Sequence, residues 1–543
     1  MKRILWVSRL GYSCSYAYVS NTLLHNLSGF DLYVFCTGIV HTEDDRKRIA
    51  KELKIPLDHV FTITERLPSS KCSEDHEYFN SYFGGVHHLS SIVEKVKPNL
   101  IVSIDDNQCV NRQWQKLRTK KWPFEFKFVP YVTVDCDDID PDFLDAPAEV
   151  FTMTQFAKTQ LLRYHPNKEI TVLPHLIDPN VFFPLPQNQC RLKWMGRPDR
   201  FIVGAFNANN NRKRWDLLLE AFCGWARNHN DAVLLMKTPY LKPRNDFSLS
   251  PCSEYDFTEL ITSVALKYGI DLSRIRVIDG EVKSSDLNEL YNCCDIGLNT
   301  TSGEGWGLTP CEMALIGIPT ILPKFSSFPE IFGESECMMP CIKQSNHVGR
   351  NLRVSPDSLR DQFTPIAKSY SYHQTREEKV DILAPTEHVP TICISENGLD
   401  EGNGNLNYPL RASLDVIGHF RTIKFTCKFI QTYQFKDRFQ ILIGLNRGFL
   451  EKEQIDLEKL FKILPTEGRV NYLLREETLQ RYWSTRFGSV ELPSIETIHE
   501  YLEKFYQSSE LRQKEGHYMQ KRIREICDPT KIRTELKGLL ERF

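Results

Sequence analysis

Short apolar runs that stop at small or polar residues recur from Ile4 to about Glu330. They are Ile4–Val7, Leu32–Cys36, Leu100–Ile104, Val129–Val134, Val150–Met153 and Thr171–Leu173, then Phe201–Phe206, Val233–Lys237, Arg276–Asp279 and Asp295–Asn299. Runs of this kind, apolar at most positions, predict buried strands. Between several of them the apolar residues fall at helical spacing, as in Val19, Leu23, Leu24 and Leu27, or Leu217, Leu218, Ala221 and Phe222. Strands alternating with helices predict parallel, doubly wound sheets of the α/β class. Prolines and polar residues from Pro184 to Gln189 mark a linker, which predicts two such domains, 1–185 and 186–342.

After Lys343 the period changes. A Gly/Asn-rich tract (Glu396 to Asn407) and alternating runs at Ile423–Phe429 and Phe439–Ile443 predict half-buried antiparallel strands, an inserted module over 343–482. Helical spacing resumes with Ile495, Ile498, Leu502 and Phe505, so 483–543 is expected to form terminal helices.

The candidate chemistry clusters in strand-to-helix turns. After Asn299 comes a loop with Gly303, Gly305 and Gly307, where close backbone approach is possible. A helix follows, with Thr309 as expected N-cap, Pro310 at the first helical position and Gly317 past the end. Bare amides at the mouth of a glycine-rich turn are a phosphate site in physical terms. Glu304 and Glu312 flank it; a solvated loop residue and a capping box with Thr309 are their plainer readings. A second turn, after Phe206, carries Arg212, Lys213 and Arg214. Acidic residues end two strands of the first domain, Asp105-Asp106 and Asp135 through Asp142. Asp135-Cys136-Asp137 matches a metal-binding D-x-D, although three residues match by chance easily.

The string from Gly297 to Glu330, with Glu304 and Glu312 as an E-x7-E pair, closely resembles that of retaining family 4 glycosyltransferases of the GT-B fold. Leu173-Pro-His-Leu-Ile-Asp178 and Val181-Phe-Phe-Pro184 resemble the inter-domain segment of the same family. The resemblance implies two Rossmann-like domains facing a cleft, with acceptor on the first domain and nucleotide-sugar donor on the second. It further implies that Glu304 contacts the sugar, Glu312 the ribose, and the amides of Gly307, Leu308 and Thr309 the diphosphate, with Gly303 in the same loop and Gly11 beside the phosphates or the acceptor. Lys213 matches the family's lysine; its arginine falls on Ala208, so Arg212 is the substitute. Where many members carry a histidine facing the sugar this chain has Asp135, so Asp135 or Asp105 stands in for it. His175 is read as structural.

Implied partners are a nucleotide sugar (GDP-mannose or a UDP-sugar) and a glycan, lipid-linked or protein acceptor, with no cofactor and no metal expected. An epimerase, a phosphorylase and a catalytically silent sugar-nucleotide binder are the alternatives. All the candidate donor residues precede residue 343, which leaves acceptor recognition, oligomerisation or partner docking to the inserted module.

Composition narrows the field. With 543 residues, 25% charged and a net charge of -2, the chain shows no polyanion signature, and nucleic acid is not an expected partner. Sixteen cysteines without a CxxC pair fit reduced thiols in a cytoplasmic setting. No apolar run approaches the roughly 18 residues of a membrane span, and Met1–Val7 is too short for a signal peptide; peripheral membrane contact stays open.

Overall fold

The structure, a computed structural model, describes residues 1–12, 14–64, 84–135, 139, 141–239, 241, 255, 257–345, 391–395, 440–444, 469–473 and 489–543. The chain forms two compact units, one of residues 1–67, 80–343 and 491–543, the other of 68–79 and 344–490.

The larger unit is built on two sheets. The first joins β1 (Lys2–Ser8), β2 (Phe30–Val40), β3 (Val60–Ile63), β4 (Leu100–Asp106), β5 (Lys127–Thr133), β6 (Val150–Thr152) and β7 (Ile170–Val172) in the order β3-β2-β1-β4-β5-β6-β7. The second joins β8 (Phe201–Phe206), β9 (Ala232–Thr238), β10 (Ile275–Asp279), β11 (Ile296–Leu298), β12 (Thr320–Pro323) and β13 (Met338–Met339) in the order β10-β9-β8-β11-β12-β13. Every pairing in both sheets is parallel. Parallel strands need crossovers, and the helices that provide them cover both faces. This is why β8 is buried at every position and β4 at all but its last. Each sheet reverses its winding once, between β1 and β4 and between β8 and β11, and ligands of open α/β sheets bind at such points.

Three terminal helices tie the halves together. Ile495–Gln507 packs on Trp215–Ala226, where Trp225 Nε1 donates to Glu503 at 2.8 Å. Ser509–Ile526 lies so close to the end of helix Leu308–Ile316 that a Cβ on Gly516 would collide with the carbonyl of Gly317. Pro529–Arg542 returns to the first sheet: Lys2 Nζ donates to Leu540 O at 3.0 Å, and Arg542 pairs with Glu149 at 3.1 Å. Two doubly wound sheets that meet at their carboxyl ends, with the last helix crossing back to the first, make this fold GT-B.

The smaller unit contains β15 (Thr391–Ser395), β16 (Gln440–Gly444) and β17 (Arg469–Leu473) in one sheet, and both of its pairings are parallel. The antiparallel expectation for this module is therefore corrected for these strands. Period-two patterning reports which face is buried, not strand direction; the chain separating β15 from β16 (396–439) and β16 from β17 (445–468) is long enough for parallel crossovers. The run at Ile423–Phe429 lies outside the described residues. A further two-stranded sheet pairs β14 (Ile342–Ser345) with β18 (Ser489–Leu492).

Candidate active site

The second sheet's switch point places the basic turn against the glycine loop. After β8 the chain makes a short 3-10 turn, Asn211–Lys213, and Arg214 in a left-handed conformation (φ 51°) starts helix Trp215–Ala226. Arg214 turns into the protein, where its guanidinium pairs with Asp216 at 2.6 Å and Tyr255 Oη donates to the same carboxylate at 2.9 Å. Arg212 and Lys213 are left to face the cleft. Thr300 Oγ1 donates to Arg214 O (3.0 Å) and Ser302 N to Arg212 O (2.8 Å), lacing the loop after β11 to the loop after β8.

Glu304 is held by that lacing between two cations. One carboxylate oxygen is 3.0 Å from Arg212 Nη1 and the other pairs with Lys213 Nζ, while Ser326 Oγ accepts from the Glu304 amide at 2.9 Å. Arg212 Nε reaches Asp135 Oδ2 at 3.2 Å, which brings the end of the first sheet to the second. The approach is close: a Cβ on Gly303 would overlap the carbonyl of Asp135, and one on Gly305 would overlap the Thr133 side chain. Burial opposes ionisation of Glu304, but Arg212 and Lys213 outweigh it and hold the carboxyl below its usual range. Burial lowers Lys213, and the Arg212 charge adds to that against the pull of Glu304. Burial disfavours the Arg212 cation too, yet Glu304, Asp135 and Asp106 more than compensate and keep it firmly charged.

The helix beside them is Leu308–Ile316, starting two residues earlier than expected from a cap at Thr309. Its N-cap is Gly307, left-handed at φ 94°, and no side chain caps the first turn. A glycine starts the helix without a side-chain oxygen, so Thr309 falls inside the first turn and the capping box does not form. Glu312 instead accepts from Tyr291 Oη at 2.6 Å. Burial pushes its carboxyl up to about 7, against the opposing effects of Tyr291 and Lys237.

No family model matches this chain. Over 80 residues it is 32% identical to the serotype-specific mannosyltransferase WbdA of Escherichia coli, a match spanning 15% of this chain and 10% of the relative. The chain thus matches about a tenth of that protein's length. Similar solved structures include a sucrose-phosphate synthase from Thermosynechococcus elongatus, at 14% identity over 63% of this chain and 86% of that one, with a TM-score of 0.46. HepE from Anabaena, solved with UDP and glucose, is 14% identical over 62% of this chain and 84% of its own, with a TM-score of 0.45.

Of the residues singled out from the sequence, Arg212, Lys213, Glu304, Gly303 and Asp135 meet in one cluster, and Gly307, Leu308, Thr309 and Glu312 lie on the adjoining helix start. Gly11 is elsewhere in the first half: its carbonyl accepts from Arg48 at 2.7 Å, and a Cβ there would meet Ile49 and His41 at 2.7 and 2.8 Å. Asp105 is buried against Arg9, 2.6 Å from Nη2, so Asp135 is the carboxylate that reaches Arg212. Asp137 lies outside the described residues, and among those described no group of three His, Cys, Asp or Glu side chains could hold a metal ion. His175 is buried, its imidazole pushed down to about 3, and lies 3.2 Å from Tyr131 Oη and beside Trp306. Among the described residues no helix is long and apolar enough to cross a membrane, and the described cysteines are free.

Sequence reasoning missed Arg9, Tyr291, Lys237, Ser326 and the Thr300–Ser302 lacing. Only Arg9 left a trace, as a cation closing an apolar run at a strand-to-helix turn, the same position that drew attention to Arg212.

Proposed function

We propose that this protein is a retaining glycosyltransferase of the family 4 type. It would move a sugar from a nucleotide-diphosphate sugar to a hydroxyl of a glycan or other acceptor. The observation that carries the reading is Glu304 held between Arg212 and Lys213 beside a helix whose first turn is capped only by glycine. Paired cations and uncapped amides suit a diphosphate, and a buried, ionised carboxylate suits sugar hydroxyls.

In this scheme the donor diphosphate takes over the charges of Arg212 and Lys213 that Glu304 neutralises in the free protein. Glu304 then turns to the sugar, and Glu312 accepts from the ribose hydroxyls. The anomeric carbon–oxygen bond to the diphosphate breaks, the acceptor oxygen bonds to the same face, and the acceptor proton passes to a donor phosphate oxygen. Charge develops on the leaving diphosphate, so preorganised cations and amides lower the barrier. No metal has a step in this scheme, since Lys213, Arg212 and the helix amides carry the countercharge. GDP-mannose is the first donor to test, given the partial similarity to a mannosyltransferase, and UDP-sugars are the second.

The test is a thermal-shift screen of nucleotide sugars followed by donor turnover with a mixed acceptor set. A true donor at about 100 times its Kd adds about 2.7 kcal/mol of stability. Binding without turnover would favour a silent sugar-nucleotide binder, and no stabilisation by any nucleotide sugar would overturn the reading.

A further inference from the structure

We propose that Glu330 is a positioning residue that makes closure of the cleft and the setting of Glu304 a single event; this rests on the function proposed above. Glu330 belongs to the short helix Phe328–Phe332 of the second half. Its two carboxylate oxygens accept from the backbone amides of Gln155 and Phe156, at 2.8 and 3.0 Å. Those residues open helix Gln155–Leu162, which follows β6 of the first sheet. The next amide, of Ala157, is met locally by Thr154 Oγ1 at 3.1 Å, and the helix has no acidic residue in its own first turn. The positive end of that helix therefore takes its anion from the opposite half of the unit. Phe325 and Phe156 stack edge to face beside this contact, 6.3 Å apart.

The same stretch of chain supports the donor loop. Ser326 Oγ accepts from the Glu304 amide at 2.9 Å, Ser327 Oγ donates to Trp306 O at 3.2 Å, and the Phe328 ring fills the space where Gly307 lacks a Cβ. Ser326 has a left-handed backbone (φ 54°), a conformation a serine keeps only when its surroundings impose it. From below, Arg522 donates to Ile331 O and Glu330 O, both at 2.6 Å, fixing the short helix to Ser509–Ile526. Residues 326–330 thus form a braced link with the amide of Glu304 at one end and the first half's helix at the other. With the carboxylate seated on that helix, Glu304 is registered against Asp135; with the halves apart, the link loses its far anchor.

The test compares Glu330→Ala and Glu330→Gln with the wild type in X-ray solution scattering, nucleoside diphosphate affinity, transfer and donor hydrolysis. We expect Glu330→Ala to bind the nucleoside diphosphate within about twofold of wild type, because the groups proposed to hold it (Arg212, Lys213, Glu312 and the helix amides) all belong to the second half. Its transfer kcat should fall about tenfold and the share of donor lost to water should rise, since a poorly closed cleft misplaces the acceptor and admits solvent. Glu330→Gln, which keeps one accepting oxygen, should lie between. A folded Glu330→Ala protein with wild-type kcat and hydrolysis share would overturn the proposal. So would activity lost only in proportion to folded protein. Should the wild type turn over no nucleotide sugar, the functional reading fails on its own. Scattering still decides the latch, which is refuted if Glu330→Ala has the same radius of gyration as wild type.

Discussion

In the first sheet a cation follows β1 (Arg9) and its acidic partners end β4 (Asp105 and Asp106); in the second, Arg212 and Lys213 follow β8 and Glu304 follows β11. The two halves share one strand order over six strands, with β7 added at the edge of the first, and repeat one placement of charge. They differ in the helix that comes next. In the first half that helix, Asn107–Arg118, has an aspartate at its N-cap, Asp106, whose carboxylate makes no capping hydrogen bond and instead holds Arg9 (3.0 Å) and Tyr16 (2.5 Å). In the second half the helix begins at Gly307 with no capping side chain. An anion approaching the first switch point meets a carboxylate; one approaching the second meets bare amides and two cations. Two carboxylates around one cation at the first switch point, against two cations around one carboxylate at the second, make the second the better match for the proposed diphosphate.

The strongest way to break this comparison is to remove the cations. Lys213→Ala or Arg212→Ala should lower transfer about 100- to 1000-fold in steady-state assays, the cost of losing one preorganised group at a developing anion. Arg9→Ala should act differently, costing about 3–5 kcal/mol in denaturant melts because Asp105 is left buried without its partner. If Arg9→Ala instead abolished donor binding in a stable protein, the two halves would not divide the work as described.

Glu304→Gln is expected to lower transfer about 100-fold while the fold persists, since the amide still accepts from a sugar hydroxyl but no longer pairs with the cations. A loss of only a few fold would remove Glu304 from the sugar site.

A smaller effect should appear with pH. Glu312 must be ionised to accept from both ribose hydroxyls, and its carboxyl sits at about 7. Nucleotide affinity measured by calorimetry should therefore fall about tenfold per pH unit below that point, and Glu312→Gln should flatten the profile. Stability runs the other way. The folded carboxyl lies above its unfolded range, so its contribution is complete below about pH 4.3 and is lost as pH rises through about 7. Melting temperatures of wild type and Glu312→Gln should converge toward acid. The smallest expected effect is that of chelation: EDTA should leave transfer unchanged, and activity restored by manganese would revive the D-x-D at Asp135.

The alternation of buried strands and helices was legible because parallel strands covered on both faces have to be apolar, and Arg212, Lys213 and Glu304 stood out because turns at strand ends are where such residues can converge. Pairings across the fold were not legible. Tyr291 reaches Glu312 from a different helix, and Asp135 reaches Arg212 from the other sheet. Nothing local marks such contacts. The helix start moved from Thr309 to Gly307 because a left-handed glycine can replace a capping hydroxyl, a choice the composition of the turn leaves open.

The last helix, Pro529–Arg542, buries Leu536 and Leu540 and grips Lys2 in the first strand. On a ribosome, β1 emerges more than five hundred residues before the partner that completes its surroundings. Closing a loop of that length is entropically slow to reward, so the first sheet must wait with an apolar groove uncovered while the rest of the chain is made. Synthesis order thus makes the first half, the earliest made, the last to be sealed.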